Sequence, residues 1–145
     1  MIALRNVLVA TDFSVEAEAA LTYGRTLART FGAALHLLHV ADNIYLRLGT
    51  DGFIPPPELQ TDLEEAVRKQ LDALLIDNDP FPLRTHPAVV VSTSPALAIT
   101  EYATKNNADL IVMGTHGHSA LGNLVLGSVA TGVLARCKVP VLLIP

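Results

Sequence analysis

Apolar residues in this chain follow two rhythms in turn. Five short, nearly unbroken apolar runs predict strands: Asn6–Ala10, Ala34–Val40, Ala88–Ser92, Asp109–Met113 and Val139–Ile144. Continuous rather than alternating runs indicate strands covered on both faces, as in a parallel sheet. Between them the apolar spacing becomes helical. One stripe runs Ala17, Ala20, Leu21, Gly24, Leu27, Ala28, Phe31, with Ser14 placed to cap it, Glu16 and Glu18 in its first turn and Gly32 to end it. A second stripe, Leu59, Leu63, Ala66, Val67, Leu71, Leu74, follows Pro55-Pro56-Pro57 and stops near Asp79-Pro80. A third starts at Ser94-Pro95, a cap followed by proline, continues through Ala98, Ile99, Tyr102 and Ala103, and stops at Asn106-Asn107. A fourth runs from Val129 through Val133 and Leu134 to Cys137.

Strict alternation of strand and helix predicts one α/β domain over residues 1–145, with a mostly parallel sheet and right-handed crossovers. The longest irregular stretch, 41–57, carries two glycines and three prolines and reads as a loop or lid. Ligands of open parallel sheets bind beyond the carboxyl ends of the strands. Weight therefore falls on Thr11-Asp12-Phe13-Ser14, Ala41-Asp42-Asn43, Ser94-Pro95 and the segment after the fourth strand.

Composition narrows the classes. Half of the 145 residues are hydrophobic, enough for a full core. A net charge of -4 with scattered signs gives no basic patch, so nucleic acid is not expected as a partner. The one cysteine, Cys137, forms no internal disulfide and fits a reducing compartment. The first apolar run is too short for a signal-peptide core or a membrane span, and the expectation is a soluble cytoplasmic protein.

Chemistry concentrates after the fourth strand, in Gly114-Thr115-His116-Gly117 and, nine residues later, Gly127-Ser128. Glycines after a strand let the backbone turn sharply and approach a ligand without a Cβ in the way. A helix beginning at Gly127-Ser128 offers unpaired N–H groups and a positive dipole end to an anion. Two other phosphate loops are excluded. Gly117 to Gly122 is followed by Asn123, so the lysine of G-x-x-x-x-G-K-[ST] is missing, and no G-x-G-x-x-G follows the first strand. His116 and His118 form an H-x-H pair, but a metal site needs further ligands that the sequence does not show. They read as loop histidines near a phosphate. His36 and His39 read as satisfied strand histidines, Ser119 lacks a G-x-S-x-G elbow, and Cys137 reads as packing. No metal site and no catalytic residue is expected.

On these residues the chain resembles the universal stress protein family over essentially its full length. The carrying feature is G-x2-G-x9-G-[ST], met by Gly114, Gly117, Gly127 and Ser128; Thr11-Asp12-Phe13-Ser14, the run from Asp109 to Gly114 and the closing Val139 to Ile144 support it. The resemblance implies a Rossmann-like open five-stranded sheet of order 3-2-1-4-5 with helices on both faces. In the nucleotide-binding branch it implies ATP, with Mg²⁺ or Mn²⁺, and a homodimer through the last strand. Carried over by position, Ala10, Thr11 and Asp12 would contact the nucleoside, and Val40 would line the adenine pocket. Met113 and Gly114 would flank the ribose and α-phosphate, with His116 beside them and Gly117 allowing close backbone approach. Gly127, Ser128 and Val129 would hold the phosphates. Ser94 departs from the family pattern, standing where many members carry glycine before the proline.

Binding is the expected chemistry. No lysine or arginine lies between Gly114 and Leu134, so any ATP hydrolysis should be slow. Two alternatives stand beside a cytoplasmic ATP-binding stress-response protein. One is a non-nucleotide scaffold that dimerises through its final strand. The other is an α/β enzyme acting on an adenylated small molecule.

Overall fold

A computed structural model describes residues 2–42, 56–116 and 126–145. Its strands are β1 (Asn6–Ala10), β2 (Ala34–Ala41), β3 (Thr85–Val91), β4 (Leu110–Gly114) and β5 (Val141–Ile144). The helices among the described residues are α1 (Val15–Phe31), α2 (Pro57–Leu74), α3 (Pro95–Lys105) and α4 (Ser128–Arg136). All strand pairs are parallel and the order is β3-β2-β1-β4-β5. The expected α/β architecture is therefore the one observed.

The central strands bury both faces, which is why their apolar runs are unbroken. On one side Val7, Val9, Leu35, Leu37 and Val112 pack with Ala20, Leu21 and Ala28 of α1 and Leu71 of α2. On the other, Leu8, Leu38, Ile111 and Met113 pack with Ile99 and Ala103 of α3 and Ala130 and Val133 of α4. Gly24 lets α1 lie against the sheet, since a Cβ there would fall 2.3 Å from Val9 Cγ2.

Local signals set most of the boundaries. Ser14 Oγ accepts from Ala17 N at 3.2 Å and starts α1, and Gly32 ends it in the left-handed region at φ 65. Elsewhere the structure corrects the expectation. β3 begins at Thr85 rather than after Pro87, because as an edge strand it tolerates a residue with no N–H. β5 begins only at Val141, after Pro140, which cannot donate to a ladder. Ser94 makes no side-chain cap to α3; the Ser92 hydroxyl instead accepts from Ser94 N at 3.0 Å. α2 stops at Leu74, and of its apolar stripe only Leu71 is buried. Leu134 has the spacing of the inward stripe of α4 and is nevertheless exposed.

Candidate functional site at the carboxyl ends of the strands

Four chain segments converge where β1, β2 and β4 end. Ala10, Val40 and Val129 pack, half-buried, against the same core cluster that contains Met113. Residues from three strands and from the start of α4 thus share one face of the sheet. Thr11, just beyond β1, is buried, and its N–H donates to Leu38 O at 2.9 Å, which ties the ends of β1 and β2 together. Its carbonyl meets His39 Nδ1 at 2.8 Å. Asp12 turns the chain into α1, its Oδ1 accepting from Ser14 N at 3.0 Å.

Phe13 sits in the left-handed region at φ 64, uncommon for a bulky side chain. The Thr11 hydroxyl accepts from its N–H at 3.1 Å, and its ring lies 4.6 Å from that of His39. Neighbours on both sides therefore hold the strained turn that presents Asp12.

The glycine positions have distinct duties. A Cβ on Gly114 would stand 3.0 Å from Glu16 Cβ and 3.1 Å from His116 O, so the exit of β4 passes α1 closely and a side chain there would require its neighbours to give way. Gly127 N donates to Thr115 O at 2.7 Å, and a Cβ on Gly127 would press on that same oxygen at 3.0 Å. This contact seats the residue before α4 against the exit of β4. Gly127 caps the helix with no side-chain bond, and the first turn carries no acidic residue. Ser128 is exposed and Val129 half-buried at this end. The α4 terminus thus presents backbone donors and the Ser128 hydroxyl with the positive end of the helix dipole behind them.

His116 is half-buried, with Nδ1 2.9 Å from the Thr115 hydroxyl. Gly117, His118, Ser119 and Asn43 lie outside the described residues, as does most of the 41–57 loop. Among the described residues no group of three or more His, Cys, Asp or Glu is placed to hold a metal ion. Glu16, Thr115, His39 and Phe13 join the site only in the folded chain. Thr115 lies inside the glycine motif and is legible there, whereas Glu16 reads in sequence only as a favourable first-turn charge. Phe13 falls in the segment after the first strand that the sequence singles out and His39 in a strand run, but nothing local marks their contact, which depends on how β2 and α1 meet. At the opposite, amino end of the sheet, Arg5, Asn6, Phe31, Gly32 and Arg84 frame an open groove of about 460 Å³. It lies away from the end at which parallel sheets bind ligands.

The chain is similar to known proteins over nearly all of its length. The model of the universal stress protein family matches residues 3–145. A universal stress protein of Thermus aquaticus is 34% identical over 140 residues, covering 97% of this chain and 98% of the relative. The solved structure of MJ0577, a universal stress protein of Methanocaldococcus jannaschii, superposes with a TM-score of 0.83 at 26% identity, covering 99% of this chain and 96% of the other. A universal stress protein crystallised in complex with cAMP superposes with a TM-score of 0.63 at 25% identity, covering 98% and 97%. Among the described residues no helix is long and apolar enough to cross a membrane. With a family model spanning the sheet from its first strand to its last, the chain belongs to the universal stress protein family.

Proposed function

We propose that the chain is a nucleotide-binding stress-response protein that takes an adenine nucleotide, ATP foremost, at the carboxyl ends of β1, β2 and β4. The carrying observation is the bond from Gly127 N to Thr115 O at 2.7 Å, which sets an acid-free helix start beside the turn of β4. The cAMP complex of a related universal stress protein supports an adenine nucleotide as the ligand class. In this reading Ala10, Thr11, Asp12 and Val40 receive the nucleoside. Met113 and Gly114 border the ribose, with His116 and Gly117 beside the phosphates. The N–H groups of Ser128 and Val129 and the Ser128 hydroxyl donate to the phosphate oxygens, with Gly127 holding them in place.

The donors at the start of α4 are neutral, so they fit a phosphate group whose charge is partly met elsewhere. Bound Mg²⁺ or Mn²⁺ would supply that neutralisation for a triphosphate. The residues named bind and orient, and none of them is assigned as a general base. Slow hydrolysis at most, a cytoplasmic setting and a homodimer through β5 complete the proposal.

The test is acid extraction of the purified protein for bound nucleotide, followed by melting with ATP and Mg²⁺. Ligand at 100 times its dissociation constant stabilises by about 2.7 kcal/mol. At roughly 2–4 °C per kcal/mol that is a shift of several degrees. Gly127→Val should fold and lose the shift. A wild-type protein with no extracted nucleotide and no shift would favour the scaffold alternative.

A further inference from the structure

We propose that the outward stripe of α2 is a self-association surface, and that its occupant is α2 of a second copy packed antiparallel. This surface is independent of the nucleotide reading and of any pairing through β5. Residues 57–66 of α2 are all exposed, and among the described residues the helix is buried against the body at its later turns, where Leu71 is buried and Val67 and Leu74 are half-buried. Leu59 and Leu63 remain 40% and 49% exposed. Turns of helix with so little packing are marginal in water, so the apolar stripe needs cover.

The sequence on that stripe fits its own copy. Leu59, Leu63, Ala66 and Gln70 are spaced 4, 3 and 4 residues apart, the spacing of a helix–helix seam. The small side chain of Ala66, near the middle of the seam, permits close approach of two helices. Asp62 and Lys69, seven residues apart, flank one side of the seam. In an antiparallel pair whose two-fold axis passes near Ala66, Asp62 of each copy stands opposite Lys69 of the other. A parallel pair would instead set Asp62 and Lys69 beside Val67 and Leu74 of the other copy, so neither charge would meet an opposite one. The charges therefore select the antiparallel, isologous arrangement.

The test uses the full chain with Cys137→Ser, so that an introduced cysteine is the only one. Ala66→Cys should form a disulfide-linked dimer under mild oxidation. Thr61→Cys, about 140° around the same helix, should stay unlinked. Adding Leu63→Asp to Ala66→Cys should abolish the link, with circular dichroism showing the fold intact, since the position is exposed. Asp62→Lys and Lys69→Asp, each in the Ala66→Cys chain, should each weaken linking about tenfold. Mixing those two variants should restore it, because both cross-pairs then become attractive. The proposal is overturned if the Ala66→Cys chain stays unlinked, if it links no faster than the Thr61→Cys chain, or if mixing the two charge variants restores nothing. Those results would assign the stripe to some other occupant.

Discussion

Glycine and its immediate neighbours decide most of what this fold can do, and two positions show how differently. Gly127 has an ordinary φ of -62, so its role is space and not backbone freedom. Any Cβ there meets Thr115 O, the very atom its own N–H bonds. Gly24 is structural. Gly24→Ala would drive a methyl into Val9 Cγ2, an overpacking that costs about 1–3 kcal/mol. Better helix propensity offsets that by at most ~1 kcal/mol. Denaturant unfolding should show a net loss. Because Val9→Ala removes the obstructing methyl, the double variant should be more stable than the sum of the two single effects predicts. Strict additivity would mean that α1 simply shifts to make room. The glycine motif is readable in the sequence because its spacing is local. The strain at Phe13 is not, since it arises where the exit of β1, the end of β2 and the start of α1 are forced together.

Between elements, the sheet is cross-tied by a polar network. His36 of β2 has Nδ1 2.9 Å from the Tyr102 hydroxyl of α3 and Nε2 3.2 Å from Asn6 Oδ1 of β1. With the Asn6 carbonyl oxygen accepting, Nε2 carries the proton and the Tyr102 O–H donates to Nδ1. His86 of β3 faces the same ring at 4.7 Å. Burial, and secondarily the charge of His86, lowers the His36 pKa below its usual 6.5. The unfolded chain therefore takes up a proton near pH 6.5 that the folded chain resists. This contribution to stability is complete above pH 6.5 and declines as pH falls below it toward the lower folded value. Melting at pH values about one unit above and one unit below that point should show the decline, and His36→Gln should flatten it. An unchanged slope in the variant would place the dependence elsewhere. Apolar rhythm reads strand interiors well because burial on both faces leaves a continuous run. It misreads β3, where Pro87 looks like a breaker and is harmless on an edge. It misreads α2 as well, because an apolar stripe tells that a face needs cover and not what covers it.

Across the whole molecule, the β3-β2-β1-β4-β5 order puts a crossover switch beside β1, and ligands gather where such a sheet changes direction. That topology, the turn at Asp12 and the seat of α4 on Thr115 converge at one end of the sheet, while the groove framed by Arg5 and Arg84 opens at the other. Family membership is legible from the glycine spacing; the juxtaposition of Gly127 with Thr115 and of Gly114 with Glu16 requires the folded chain. The decisive measurement is amide-resolved NMR titration of the intact protein with ATP and Mg²⁺. Saturable shifts are expected at Thr11, Asp12, Gly114, Ser128 and Val129, with Arg5, Gly32 and Arg84 unmoved. No saturable shift, or shifts gathered around Arg5 and Arg84, would contradict a nucleotide site at the carboxyl ends of the strands.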